Sequence, residues 1–125
     1  MVKIKRVYEA ESRGDGYRVL VDRLWPRGVK KSELKFDEWP KEICPSTEIR
    51  KAFAHDPGKF SEFRTKYKKE LRSVEASHKL VDLSKRARRH NVTLLYAAHD
   101  EKINHAIILK EVLDSLMEDK EASLG

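Results

Sequence analysis

The sequence predicts an α/β fold, a three-layer sandwich in which a small, mostly parallel central sheet is flanked by helices. Two short apolar runs, at residues 17–21 and 92–98, are the first observation. Buried parallel strands have near-continuous apolar runs of this kind. The long stretch between the two runs carries helical periodicity, which is the second observation. Parallel neighbouring strands need such a crossover connection, so the two observations agree.

A chain of 125 residues fits a single domain over residues 1–125, with a polar tail at 118–125 that is expected to fray. The longest apolar run, 94–98, is too short for a membrane span or a signal-peptide core, so no membrane partner is expected. A single cysteine, Cys44, excludes an internal disulfide and favours a cytoplasmic location. The net charge of +6 favours anionic partners.

The first half of the chain predicts two strands. Residues 2–8 alternate between apolar and polar, which is typical of a half-exposed strand, and residues 9–16 are a glycine-containing connection. Residues 17–24 form the second strand, which Pro26 and Gly28 stop. Residues 29–35 predict a loop or a turn of helix. Residues 36–42 predict a short strand or an irregular segment, because Pro40 excludes a long element.

The second half predicts helices around one more strand. Ser46 or Thr47 should cap a short helix over 48–54, and Asp56 with Pro57 should begin the next. Asn91 is expected to end a later helix in the left-handed conformation, just before strand 92–97. Three sets of apolar residues recur at helical spacing and predict buried faces. They are Phe60, Phe63, Tyr67, Leu71 and Val74; Ala76, Leu80, Leu83 and Ala87; and Ala106, Leu109, Leu113 and Leu116.

Polar residues follow both apolar runs, where α/β sheets bind ligands. Asp22 follows the first run and could act as an acid or base, or form a structural ion pair with Arg23 or Arg50. Arg23, Arg27 and Arg50 are candidate ligand-binding residues, because guanidinium groups clamp phosphate or carboxylate. Trp25 is a candidate wall of the ligand site, or it fills the core.

His99, Asp100, Asn104 and His105 follow the second run. His105 lies in phase with the inward positions of the last helix, so it faces the sheet and could serve with Asp22 as a general acid or base. His99 and Asp100 are further catalytic candidates near the start of that helix, and Asn104 is a ligand-binding candidate. The alternative is a structural, buried histidine bonded to Asp22 or to a backbone carbonyl, with Asp100 as a cap. The spacing fits no zinc pattern, so no metal site is predicted and the cofactor is left open.

Two other features have competing interpretations. Cys44 precedes a helix and could be a nucleophile, but a lone cysteine is more often inert. Two helical faces are rich in cations, and they predict either a nucleic-acid surface or an ordinary solvated face. The cations are Lys66, Lys68, Lys69, Lys85, Arg86, Arg88 and Arg89.

Residues 16–28, Gly-Tyr-Arg-Val-Leu-Val-Asp-Arg-Leu-Trp-Pro-Arg-Gly, strongly resemble the signature of the YeaO-like proteins, within the domain of unknown function 488 (DUF488). Residues 45–50, 55–57, 63–67 and 93–98, with Asp100 and residues 104–106, are similar to it as well. The resemblance implies an α/β domain and no established activity. Some relatives in the wider group place cysteines after the last strand. Here residues 97–100 are Ala-Ala-His-Asp, so a cysteine-based mechanism does not transfer.

The leading hypothesis is a small cytoplasmic α/β protein with a polar anion-binding crevice at the strand ends. Its ligand would be a phosphorylated or nucleotide-like small molecule, and the sequence leaves open whether the protein is an enzyme. Asp22 and His105 would form the acid–base pair. The alternative is a non-catalytic nucleic-acid-binding protein that uses its basic helical faces. A third hypothesis is an interaction protein in which these charges form only a structural network.

Overall fold

The computed structural model describes the backbone of residues 1–124 and the side chains of residues 1–118. Three parallel strands form the sheet in the order β1-β3-β2: β1 (Val2–Arg6), β2 (Tyr17–Leu20) and β3 (Val92–Tyr96). Four α-helices accompany it: α1 (Thr47–Phe53), α2 (Phe60–Glu70), α3 (Val74–Arg89) and α4 (His105–Leu124). The predicted α/β fold with a small central sheet flanked by helices is therefore confirmed. Within the described part of the chain, no helix combines the length and apolar character needed to cross a membrane.

The central strand β3 sets the register of the sheet, and all five of its residues are buried. Val92 at its start lies opposite Val2 of β1 on one side and opposite Tyr17 of β2 on the other. Because the three strands are parallel and start level with one another, their carboxyl ends lie at one edge. Residues that follow β2 and β3 therefore leave the sheet side by side.

The two faces of the sheet are covered differently. Val19, Val92 and Leu94 point to one face and pack with residues of all four helices in the main core. Leu20 and Leu95 point to the opposite face, because side chains alternate along a strand. There they join a smaller cluster whose other buried members, Val7 and Leu34, come from the connections before and after β2. We call this covering the loop layer, formed by residues 7–16 and 22–40.

The helix caps follow the predictions closely. Ser46 caps α1, since its side chain accepts a hydrogen bond from the backbone N–H of Ile49. Asp56 caps the 3₁₀ turn Pro57–Lys59, which leads directly into α2. The inward faces of α3 and α4 are buried as predicted, with Leu116 partly buried. The predicted fraying of the tail at 118–125 falls largely on side chains outside the described residues and stays a prediction.

Three local predictions are wrong. The strand predicted over 17–24 ends at Leu20, because the chain then turns into the loop layer. Val74 does not extend the stripe of α2, since Ser73 caps a new helix there and leaves Val74 67% exposed. Asn91 is not left-handed; positive φ angles occur instead at Ala54 and His55, after α1. The backbone oxygen of Asn91 instead accepts a hydrogen bond of 2.9 Å from the N–H of Tyr17 at the start of β2.

A buried ionic cluster connects all three strands through Asp15, which is 2% exposed. One carboxylate oxygen accepts a hydrogen bond of 2.7 Å from Lys5 of β1, and the other pairs with Arg18 of β2. The backbone oxygen of Asp15 accepts a hydrogen bond of 2.7 Å from the hydroxyl of Thr93 in β3. Burial raises the pKa of Asp15, but the hydrogen bonds from Lys5, Ser12 and Arg18 together hold it well below its ordinary value.

We expect Asp15→Asn to lower the free energy of unfolding at pH 7 by about 3–5 kcal/mol, because buried Arg18 would lose its counter-charge. The pKa of Asp15 is lower in the folded than in the unfolded chain. Its stabilising contribution is therefore complete above roughly pH 5 and is lost as pH falls through about 4 and below. Urea unfolding at several pH values measures this. The difference between wild type and Asp15→Asn should shrink toward pH 3, whereas exposed Glu11→Gln should show little difference at any pH.

Gly16 permits the close approach of β2 and β3. Its φ is +62°, and a Cβ placed there would lie 2.2 Å from the carbonyl oxygen of Asn91. Gly28 has a similar φ of +74° but open space around it. We expect Gly16→Ala to cost at least about 3 kcal/mol of unfolding free energy, and Gly28→Ala only about 1 kcal/mol. Equal losses in urea unfolding would show that backbone conformation, not contact with Asn91, requires Gly16.

Candidate functional site

Asp22 and His105 meet at the carboxyl edge of the sheet. Asp22 follows β2, and His105 is the first residue of α4, which follows β3. Nε2 of His105 lies 2.9 Å from Oδ1 of Asp22, and the two side chains are 14% and 17% exposed. The other carboxylate oxygen of Asp22 accepts a hydrogen bond of 3.2 Å from the backbone N–H of Ala97. The pair therefore joins the ends of two neighbouring strands.

The facing atoms of this pair retain hydrogen-bonding capacity. Oδ1 of Asp22 and Nε2 of His105 are close, but they are not aligned as a hydrogen bond, and neither has another partner among the described residues. Buried polar atoms without a hydrogen-bonding partner are uncommon in native proteins, and each needs an explanation such as a catalytic role. Both atoms are buried and face each other, so a polar group that reaches this edge would meet only the exposed 14% and 17% of the two side chains.

The arginines predicted to clamp an anion differ in their availability. Arg23 donates to three backbone oxygens around the turn before α1, those of Pro45, Cys44 and Lys41, at 3.0, 3.1 and 3.3 Å. Arg23 therefore holds this turn against the sheet. The half-buried guanidinium of Arg50 makes no hydrogen bond or ion pair with the described residues.

Arg27 and Trp25 belong to the loop layer. Arg27 is exposed, and its backbone oxygen accepts a hydrogen bond of 3.1 Å from the hydroxyl of Tyr8. The ring of Trp25 is half-buried and lies 6.0 Å from Phe36 and 5.7 Å from Trp39 between centroids. Trp25 thus packs in an aromatic cluster with part of its surface exposed, and its role as a wall of a ligand site stays a prediction.

The remaining polar residues after β3 shape the start of α4. Asn104 is 1% exposed and caps the helix, because its Oδ1 accepts a hydrogen bond of 3.0 Å from the N–H of Ile107. Asp100 is exposed and accepts hydrogen bonds from the N–H groups of Lys102 and Ile103 at 2.8 and 2.9 Å. These two backbone hydrogen bonds lower the pKa of Asp100. His99 is exposed, with Nδ1 3.5 Å from the guanidinium of Arg6. These contacts support the helix start and do not bring His99 or Asp100 onto the pair.

Cys44 and Tyr67 lie beneath this edge. Burial above all, together with the charge of Asp22, raises the pKa of the Cys44 thiol to about 12, although the charges of Arg23 and Arg50 oppose this rise. The thiol therefore stays protonated near neutral pH. The buried hydroxyl of Tyr67 donates to the backbone oxygen of Ile43 at 2.5 Å. From its helical spacing, Tyr67 was predicted to be a core residue. The spacing did not indicate that Tyr67 would lie near the Asp22–His105 pair.

Other candidate sites have less support. In the described part of the chain, no three His, Cys, Asp or Glu side chains converge to hold a metal ion. Three of the seven helical cations are already engaged: Lys66 pairs with Glu62 at 2.9 Å, Arg86 covers the ring of Tyr17 at 3.8 Å, and Arg88 donates to a backbone oxygen at 2.6 Å. One surface cavity lies between α2, α3 and α4, and a second lies between α3 and α4. Asp22 and His105 line neither.

Comparisons with known proteins agree along the whole chain. A family model described as the inactive DUF488-N3 subclade matches residues 1–124. The chain is 48% identical over 116 residues to the uncharacterized protein YeaO of Escherichia coli (strain K12), covering 92% of this chain and 98% of that protein. It is 38% identical over 113 residues to the uncharacterized protein Rv3073c of Mycobacterium tuberculosis (strain ATCC 25618 / H37Rv), covering 90% and 93%. No solved structure matches it.

We expect Cys44 to be inert in the folded protein. With a pKa of about 12 and 4% exposure, it should react with Ellman's reagent at neutral pH on the order of a thousandfold more slowly than in the urea-unfolded chain. The unfolded chain is the internal control, because it contains the same thiol. Similar rates in both states would contradict the buried, protonated thiol and restore Cys44 as a candidate nucleophile.

Proposed function

We infer that this chain, which belongs to the DUF488 family as a YeaO-like member of its inactive N3 subclade, binds a small phosphorylated molecule without transforming it. The observation that carries the proposal is the Asp22–His105 pair, two mostly buried side chains at the sheet edge, with Nε2 and Oδ1 2.9 Å apart. A ligand hydroxyl would contact the part of these two side chains that is exposed. Such a hydroxyl occurs in sugar phosphates and nucleotides.

The phosphate of this ligand would bind on the Arg50 side of the pair. Arg50 is half-buried, and its guanidinium has no partner within the described residues. Its charge and that of Asp22 both act on the Cys44 thiol. Partly buried guanidinium groups bind phosphate well, because they are weakly hydrated and offer paired donors. The amino end of α4, where His105 begins the helix, adds a favourable dipole for an anion.

Three observations support binding over catalysis. The subclade to which the chain belongs is described as inactive. The segment where some DUF488 relatives carry cysteines is Ala-Ala-His-Asp, residues 97–100. The thiol of Cys44 has a raised pKa and so does not supply a thiolate. Asp22 and His105 would then serve recognition, and their arrangement would position a ligand hydroxyl without accepting its proton.

A cytoplasmic location is part of the proposal, since the single Cys44 suits a reducing compartment. Nucleic-acid binding by the basic faces of α2 and α3 has less support, because Lys66, Arg86 and Arg88 already have partners within the protein. A purely structural network at Asp22 is an outcome of the experiment below.

We expect sugar phosphates or nucleotides to raise the melting temperature of the wild type, on the order of 10 °C at a hundredfold excess over Kd. Arg50→Gln should weaken binding at least about tenfold, because it removes the proposed phosphate contact. Lys51→Gln is the matched control, since Lys51 is the exposed neighbour on the same helix and should leave Kd unchanged. Thermal shift and calorimetry measure both, and phosphorus NMR of the incubated ligand should show no product.

The result that contradicts the proposal is equal weakening by Arg50→Gln and Lys51→Gln, which indicates a general charge effect. Asp22→Asn preserves the shape of the side chain and shows whether Asp22 recognises the ligand or only stabilises the fold. Weaker binding at a nearly unchanged melting temperature supports recognition by the pair. A lower melting temperature with unchanged Kd identifies Asp22 as a structural residue. Product in the NMR spectrum would show that the protein is an enzyme.

A further inference from the structure

The loop layer exposes aromatic and basic side chains that neither the core nor the Asp22–His105 pair uses. Tyr8 is 50% exposed and Phe36 is 36% exposed, although large aromatic rings are usually buried. Four exposed cations accompany them within residues 27–35. We call this set the loop-layer patch, and it comprises Tyr8, Arg27, Lys30, Lys31, Lys35 and Phe36.

The ring of Phe36 rests on a fixed support. Its centroid lies 6.0 Å from that of Trp25, which in turn lies 5.7 Å from Trp39. Nε1 of Trp25 donates to the backbone oxygen of Val29 at 2.6 Å, and Nε1 of Trp39 donates to that of Asp22 at 2.7 Å. Because both supporting indoles are held by hydrogen bonds, Phe36 presents its exposed surface at little additional cost in side-chain entropy.

Tyr8 is fixed beside the basic segment. The guanidinium of Arg6 lies 4.8 Å from the ring centroid of Tyr8. The hydroxyl of Tyr8 donates to the backbone oxygen of Arg27 at 3.1 Å. These contacts orient the ring next to a cation and leave half of its surface open to solvent.

The cations of the patch have no competing partners. Arg27, Lys30, Lys31 and Lys35 are exposed, and none forms an ion pair with the residues that the structure describes. Exposed acidic residues adjoin the patch in the sequence at Glu9, Glu33 and Asp37, but none of them pairs with its cations within the described residues. The patch therefore combines cations that form no ion pair there with ordered aromatic surface.

We propose that the loop-layer patch binds single-stranded nucleic acid. Unpaired bases stack on Tyr8 and Phe36, and the phosphates contact the surrounding cations. A duplex hides the faces of its bases, so the exposed rings favour a single strand. An acidic peptide would use the cations and gain little from the rings. This surface is separate from the proposed small-molecule site, because its side chains do not include Asp22, His105 or Arg50.

Fluorescence anisotropy with a labelled oligothymidine at low salt tests the proposal. Phe36→Ala should weaken binding about tenfold through lost stacking, and Tyr8→Ala should do so independently. Replacing Lys30 and Lys31 together by serine should reduce the slope of log Kd against log salt by about 1.4, for two lost phosphate contacts. Thermal melts confirm that each variant is folded.

Matched controls lie elsewhere on the surface. Val74→Ala removes another exposed apolar side chain, and serine at Lys68 and Lys69 removes two exposed cations from α2. Each control, and Arg50→Gln, should change Kd less than about twofold.

Equal effects of the two lysine pairs would overturn the proposal in favour of general surface charge. Equal binding of duplex or polyglutamate would overturn it in favour of another polyanion, and absence of binding at low salt would also refute it. If Arg50→Gln still binds the oligonucleotide, the loop-layer patch does not depend on the small-molecule site. The two proposals can then fail separately.

Discussion

The buried carboxylate of Asp15 is the contact on which the geometry of this protein depends. It binds Lys5 of β1 and Arg18 of β2, and its backbone oxygen binds Thr93 of β3. A three-stranded parallel sheet has few ladder hydrogen bonds of its own, so these links do much to fix the strands relative to one another. Buried charges also penalise other registers, since a shifted strand would leave one of them without a partner.

The register has a direct effect at the opposite end of the strands. Asp22 and His105 are far apart in the sequence, and they meet only because β2 and β3 start level and end level. The two faces of the sheet have different coverings, and we assign them different roles: the helices stabilise the fold, and the loops offer surface for binding. The helices form the large core on one face, and the loop layer carries exposed side chains over the other. Loops on a fixed scaffold are common binding surfaces for this reason.

The parts of the fold that depend on local patterns could be predicted from the sequence. Apolar runs identified β2 and β3, helical spacing identified the buried faces of α3 and α4, and phase along α4 placed His105 toward the sheet. Hydrogen bonds to backbone oxygens could not be predicted. Every residue has a carbonyl oxygen, so the residue type does not indicate which oxygen will accept a side-chain hydrogen bond. The role of Arg23 at the turn before α1 is of this kind. The left-handed conformation predicted for Asn91 was wrong, and its backbone oxygen instead accepts a hydrogen bond from Tyr17 at the start of β2.

The order β1-β3-β2 leaves both outer strands of this small sheet as edges. Such edges are templates on which another chain can add a strand, and proteins protect them with charge or covering segments. Here β2 is met by the bridge between Val19 and Glu38, which occupies part of its outer side. Strand β1 carries Lys3, Lys5 and Arg6 among its five residues. The same lysine that neutralises Asp15 therefore also helps to keep neighbouring molecules from aggregating along this strand.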